Sequence, residues 1–229
     1  MNSIIFKGVS SAEIRGLLIS ELPPITKPQM RTKETLIDGK DGSLIEELGY
    51  SPYDKPVSIG LYGNFDIDEI IKFFSGEGEV IFSNEPEKAY RAKIFAKIDY
   101  TRLLRFRKAK ILFRTQPYKY KAFEEPTVLY APNSGIINEG LEVSKPLITL
   151  TGSGTVELLV NGSAVFSYTF PVGENQVEID SEKEDAYWQN ELKNRNMNGE
   201  FPLLQPGINK IEWTGDIQSL EILPRSRWL

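Results

Sequence analysis

Between Ile148 and Leu223 the chain repeats one pattern: a short apolar or alternating run, a turn signal, then another run. The clearest case is Val156-Glu157-Leu158-Leu159-Val160, then Asn161-Gly162, then Val165-Phe166-Ser167-Tyr168-Thr169-Phe170. Asn-Gly tolerates the positive φ that a two-residue hairpin turn demands at both positions, so it predicts a hairpin. Gln176 to Asp180, Asn209 to Trp213 and Leu220 to Leu223 continue the series. Short strands at regular spacing predict an all-β sandwich. One stretch admits a second reading. Ser181-x-x-Glu184 has the form of a helix capping box, with Ala186 to Arg195 as its helix.

The first half is strand-rich but mixed. Ile4-Ile5-Phe6, Leu17-Leu18-Ile19, Val57 to Tyr62 and Val80-Ile81-Phe82 read as strands, and Pro23-Pro24 breaks the chain. Ile37-Asp38-Gly39-Lys40-Asp41-Gly42 suits a hairpin or a long loop. One helix is expected. Asp66 caps it, Glu69 lies three residues on, and Ile67, Ile70, Ile71 and Phe74 share a face before Gly76. From Tyr90 to Tyr120 apolar and basic residues alternate, which fits two or three antiparallel strands. Gly76-Glu-Gly78 and Gly152-Ser-Gly154 are too short for phosphate loops and read as turns.

Charge divides the chain. Residues 1–125 carry 20 Lys/Arg against 18 Asp/Glu, and residues 126–229 carry 7 against 14. The Pro-, Asn- and Gly-containing stretch from Glu124 to Gly135 reads as a connection between two domains, 1–125 and 126–229. Lys88 to Lys121 holds twelve bases and one acid, Asp99. With Tyr90, Tyr100, Phe106, Tyr118 and Tyr120 interleaved, that segment is either a surface facing phosphates or the solvent face of half-buried strands. Alternation and the net charge of −5 favour the second reading.

Composition removes much chemistry. The chain has no cysteine and no histidine. That excludes thiolate nucleophiles, zinc-thiolate sites, disulfides and every histidine-dependent catalytic triad. Acid–base work falls to carboxylates, lysine or tyrosine. A two-carboxylate glycosidase remains formally open, with Glu182, Glu184 and Asp185 beside Tyr187-Trp188. Asp38-Gly-Lys-Asp41-Gly42 and Asn64-Phe-Asp66-Ile-Asp68 lack the alternating oxygen ligands and closing glutamate of a calcium loop, so no metal or cofactor is expected. The first residues lack a signal-peptide pattern, and no apolar run approaches the roughly 20 residues that span a bilayer. The chain reads as soluble.

Certain residues carry the reading further. The second half contains Gly199-Glu-Phe201-Pro202-x-Leu204-x-Pro206-Gly207-x-Asn209-x-Ile211 and Trp213-Thr-Gly215, after Val160-Asn161-Gly162 and Ile179-Asp180-Ser181. The first half opens on Phe6-Lys-Gly8-Val9-Ser10-Ser11, carries Arg31-Thr-Lys and Asp38-Gly-Lys-Asp41-Gly42, and ends in Gln116-Pro117-Tyr118-Lys119-Tyr120. In this order they resemble the distal tail proteins of long-tailed phages of Gram-positive bacteria, or a prophage homologue, over nearly the whole chain.

The resemblance implies a mainly β fold: an N-terminal β-barrel or β-sandwich with one α-helix, then a C-terminal galectin-like β-sandwich. It favours strands and loops over a helix at Ala186 to Arg195. It implies a non-enzymatic structural virion protein at the distal end of the phage tail. Its expected partners are itself, as a homo-hexameric ring or two stacked rings, the tail tube protein, a tail-associated lysin or tip protein, and baseplate or receptor-binding proteins. DNA would pass only transiently, and no membrane is involved.

The turn-rich loop from Pro28 to Glu47 is then expected to reach a neighbouring subunit, with Arg31, Asp38 and Asp41 at the junction. Arg102, Arg105 and Arg107 are expected to face the channel. A different class of function, a glycan-binding adhesin, would use Tyr187, Trp188 or Trp213 for stacking. Some relatives carry an inserted carbohydrate-binding module, for which 229 residues leave no room.

Overall fold

A computed structural model describes residues 2–39, 41–95 and 98–229. The chain is mainly β and forms two compact units, one running to Ala122 with Leu229, the other Phe123–Trp228.

The first unit contains β1 (Ile4–Phe6), β2 (Val9–Ser10), β3 (Leu17–Glu21), β4 (Met30–Leu36), β5 (Ser43–Tyr50) and β6 (Tyr53–Leu61). These are followed by α1 (Ile67–Phe73), β7 (Glu77–Phe82), β8 (Lys88–Lys93), α2 (Tyr100–Phe106) and β9 (Lys108–Lys121). An antiparallel sheet runs in the order β2-β1-β7-β8-β9-β6-β3, while β4 and β5 form a separate two-stranded ribbon. Alternation along β6 and β9 sends Val57, Ile59, Ile111 and Phe113 to one buried face. There Phe6, Phe73, Phe74, Phe82 and Phe113 meet edge to face, with centroids 4.8 to 6.3 Å apart. α1 lies where the sequence places it. The Asp66 carboxylate accepts the N–H groups of Asp68 (2.9 Å) and Glu69 (3.4 Å), and Ile70 and Phe73 enter the core.

The basic segment differs from its expected all-strand form and gives the unit a second helix. β8 and β9 are the strands, and α2 lies between them. Asp99, the segment's lone acid, caps α2 by accepting the Arg102 N–H at 2.9 Å. Leu103 is its buried anchor, and Arg107 ends it with φ of 56°. Only Leu103 of its seven residues is buried, and Arg102 and Arg105 interrupt the others, so its apolar period is nearly invisible in the sequence.

The second unit contains β10 (Thr127–Leu129), β11 (Ser134–Asn138), β12 (Leu147–Val160), β13 (Ser163–Thr169) and β14 (Gln176–Asp180). After these come β15 (Asp185–Trp188), β16 (Glu191–Leu192), β17 (Met197–Gly199) and β18 (Gly207–Leu223). The main path is β10-β18-β12-β14-β15-β16; β11 also pairs β18, and β13 pairs both β12 and β17. Asn161 and Gly162 turn the β12–β13 hairpin as expected, with φ of 53° and 81° between the paired Val160 and Ser163.

Gly152-Ser-Gly154 is not a turn. It lies inside β12, where the register with β18 shifts, and a Cβ on Gly152 would sit 2.3 Å from the Asp216 carbonyl oxygen. The close approach bends both long strands. Leu147 to Thr151 then pairs with β14 and the end of β18, while Glu157 to Val160 pairs with β13 and the start of β18. Each strand therefore serves both layers of a sandwich around Ile148, Leu150, Leu158, Tyr168, Val177, Ile179 and Ile222.

Ala186 to Arg195 takes the strands and loops that the resemblance favours, not the alternative helix: it holds β15, β16 and a short 3-10 turn at Asn194–Asn196. The Asp180 carboxylate takes the N–H groups of Glu182 and Lys183, and Glu184 adopts φ of 58°, which a right-handed helix cannot contain. The Phe201-to-Asn209 block launches β18. Buried Asn209 accepts the Gln205 N–H at 2.9 Å and donates to the Gln205 (2.8 Å) and Gly207 (3.1 Å) carbonyls, with Gly207 at φ of 90°.

Candidate functional site

The β4–β5 ribbon is the feature that the first unit does not absorb. Thr32 pairs with Glu47, Glu34 with Ile45, Thr35 with Leu44 and Leu36 with Ser43, so the segment expected as a long loop is a paired arm. Both strands are exposed along most of their length. Five apolar side chains, Leu36, Ile37, Leu44, Ile45 and Leu48, stand between 45 and 78% exposed. A two-stranded ribbon with no apolar face covered is marginal on its own, and such a surface normally marks a contact. Arg31 sits at the register shift near the root and donates to the Leu48 carbonyl at 2.9 Å. Asp38 and Asp41 lie in the turn at the tip. The three expected junction residues are thus on one arm, at its two ends.

The root of the arm is held firmly. The Ser51 N–H donates to the Gln29 carbonyl at 2.8 Å. Asn84 donates to the Pro23 carbonyl at 3.0 Å, and Lys55 Nζ to the Pro24 carbonyl at 3.1 Å. Lys55 is only 1% exposed, inside a cage of Tyr90, Tyr53 and Phe82 rings 4.5 to 5.8 Å from its ammonium. Burial draws its pKa down to about 8; the Glu85 carboxylate opposes that shift and Lys119 adds to it. Glu85 pairs with Lys119 at 3.2 Å and accepts the Tyr90 hydroxyl. Burial also raises the Tyr53 phenol to about 12. Sequence reasoning missed this knot. The available signal was phase: Lys55 falls on the strand face of Val57 and Ile59.

The three arginines expected at the channel do not share one environment. Arg102, on α2, lines a groove of about 570 Å³ with Lys108, Lys110, Ser20 and Ser58. Arg105 lies 5.3 Å from the Phe106 ring, and Arg107 lies 4.6 Å from the Phe65 ring. All three are exposed. In the second unit, Tyr187 and Trp188 line a single cleft. Trp213 does not line it; it sits opposite Leu158 and packs, partly buried, against the sandwich core. Among the described residues, no helix is long and apolar enough to cross a membrane.

In fold the chain is similar to phage tail hub and baseplate chains. Among them is SPP1 Dit (gp 19.1), whose crystal structure is described as a paradigm of the hub adsorption apparatus in phages infecting Gram-positive bacteria. The two are 17% identical and superpose with a TM-score of 0.70 over 97% of each chain. The phage p2 baseplate in its activated conformation is also similar. With Ca the TM-score is 0.52 at 9% identity over 97% of both chains. With Sr it is 0.51 at 8% identity, over 97% of this chain and 98% of the other. No protein-family model and no curated sequence matches the chain. The likeness is one of fold, and at that level the distal-tail resemblance read from the sequence is borne out.

Proposed function

We propose that this chain is a structural hub subunit of a phage tail, closing with copies of itself into a hexameric ring between tail tube and tail tip or baseplate. The observation that carries this reading is the arm, a paired ribbon with five exposed apolar side chains on a chain of hub fold. Docked on the next subunit, the arm covers those side chains, and repeated head-to-tail contacts close a ring. Arg31 stiffens the arm's root, while Asp38 and Asp41 meet the neighbour from its tip. Residues 1–125 build the ring, and Arg102, Arg105 and Arg107 face its channel, where contact with passing DNA is weak and salt-sensitive. Residues 126–229 form the sandwich that meets the tip protein, lysin or receptor-binding components. The site is that of an assembling part of the virion rather than of an enzyme.

Mass photometry of the purified chain tests the reading, with six or twelve copies expected. Leu44→Asp combined with Ile45→Asp places two charges on the arm's apolar surface and is expected to leave monomers. Charge reversal at Asp41 is expected to weaken the ring less. A wild-type chain that stays monomeric at micromolar concentration, or a ring that survives the double substitution, overturns the proposal.

A further inference from the structure

We propose that the second unit carries a binding cleft for a neutral saccharide. The cleft has a volume of about 500 Å³, within the roughly 300–1,000 Å³ of small-ligand sites. Tyr187 and Trp188 supply aromatic surface, and Asn175, Glu178, Asn190 and Arg225 supply polar groups. Glu178 on β14 is paired directly opposite Tyr187 on β15, so carboxylate and phenol stand side by side on one face of the sheet. The two-residue turn of Gln189 and Asn190, with φ of 48° and 67°, closes the hairpin just beyond Trp188.

The walls are set without a ligand. The Tyr187 hydroxyl donates to Asp185 at 3.0 Å, which fixes the ring's tilt. Asn194 locks the same strand, accepting the Ala186 N–H at 2.6 Å and donating to Asp185 at 3.1 Å. Lys193 lies 5.6 Å from the Trp188 ring and is held at 2.8 Å by Glu174, both nearly buried. Arg225 is gripped by Asp180 through two bonds of 2.6 and 3.1 Å. A constellation held by its own supporting bonds is what a binding site requires.

The lining selects the ligand class. A pyranose presents an apolar C–H face and a rim of hydroxyls that both donate and accept. Aromatic faces match the first; amides, a carboxylate and spare guanidinium N–H groups match the second. Anions are disfavoured, because the cations are already committed. Arg225 faces Asp180 and, at 3.6 Å, Glu182, while Lys183 faces Asp180 at 3.7 Å. Glu178 adds a further carboxylate. Lys183 also lies 5.4 Å from the Tyr187 ring, but its exposed chain can swing aside. The inference rests on the second unit alone and does not depend on ring formation.

The test titrates the full chain with chitotriose, maltotriose and lactose, with glycerol 3-phosphate as the charged comparison. Tryptophan fluorescence and amide NMR shifts are the readouts. A saturable change at millimolar concentration is expected for at least one neutral sugar, centred on Tyr187 and Trp188. Trp188→Ala should weaken it about tenfold or more, the loss of one aromatic platform. Glu178→Gln, at an exposed position where misfolding is not at issue, should weaken it severalfold, and Trp213→Phe should leave it unchanged. The proposal is overturned if none of the three sugars produces a saturable change. It is equally overturned if the response survives both Trp188→Ala and Glu178→Gln, or if only glycerol 3-phosphate shifts the cleft.

Discussion

The two units bury charge in opposite ways. Beneath the arm, two lysines, Lys55 and Lys119, face one carboxylate, Glu85. Beside the cleft, one carboxylate, Asp180, faces Arg225 and two backbone N–H groups. Burial alone would push Asp180 up, yet the hydrogen bonds and charge of Arg225, with the N–H groups of Lys183 and Glu182, outweigh it and hold the carboxyl below its ordinary value. For Lys55, burial wins and the pKa falls to about 8. Both groups are almost fully enclosed. The difference is pairing: a buried charge is held when donors and counter-charge converge on it and sheds its proton readily when they are shared.

The largest consequence concerns Asp180. Asp180→Asn keeps the side chain's size but removes the charge that Arg225 is built around, leaving a poorly compensated guanidinium in a part-buried site. Breaking such a pair costs about 3–5 kcal/mol, and loss of that order in denaturant unfolding is expected. Because the folded pKa of Asp180 is depressed, its stabilisation is complete above the unfolded value near 3.9 and disappears as pH falls through the folded value. The Asn variant should lack that acid-dependent part. A cost below about 1 kcal/mol would break the comparison.

Lys55→Met should cost less. Glu85 keeps Lys119 and the Tyr90 hydroxyl, so what is lost is the donor to the Pro24 carbonyl and the ammonium's contact with the Tyr53, Phe82 and Tyr90 rings, together about 1–3 kcal/mol at neutral pH. The pH trend has the same sign as that of Asp180 but falls in the alkaline range. Between about 8 and 10.5 the unfolded chain holds a proton on Lys55 that the folded chain has released. Stability contributed at this position therefore rises with pH across that window, by at most on the order of 3 kcal/mol. Wild type should gain on Lys55→Met as pH is raised from 8 to 10, read as the difference between their melting temperatures. A constant difference would place the ammonium in a better-paired site than the geometry describes.

The parts legible in the sequence were those fixed by neighbours along the chain. Asp66 and Glu69 announced α1, Asn161-Gly162 announced its hairpin, and strand alternation announced the sandwich core. Tyr187-Trp188 was visible as an aromatic pair, and the turn chemistry at the arm's tip was visible too. What stayed hidden depends on residues far apart in the chain. Lys55 meets Pro24 across 31 positions, and Arg225 meets Asp180 across 45, so neither knot leaves a local pattern. Gly152 looks like a turn residue because the reason for it, the backbone of Asp216, lies on another strand. α2 was masked by its shortness, since Leu103 is the one buried residue of its seven and leaves no apolar period to read.

The smallest effect belongs to charge that neither unit buries. Lys33 and Glu46 pair across the arm at 3.8 Å, with both side chains more than 60% exposed. Water screens that pair and both long side chains lose freedom in making it, so Lys33→Met should change the monomer's stability by about 0.5 kcal/mol or less. The same substitution also discriminates between two origins of the arm's shape. If cross-strand pairing and the Arg31–Leu48 bond hold the ribbon, its amide exchange in the monomer should be unchanged by Lys33→Met. If the ion pair holds it, exchange at Thr32 to Thr35 should rise together. The first outcome keeps the contrast intact, because enclosed charge would then govern stability and exposed charge would not.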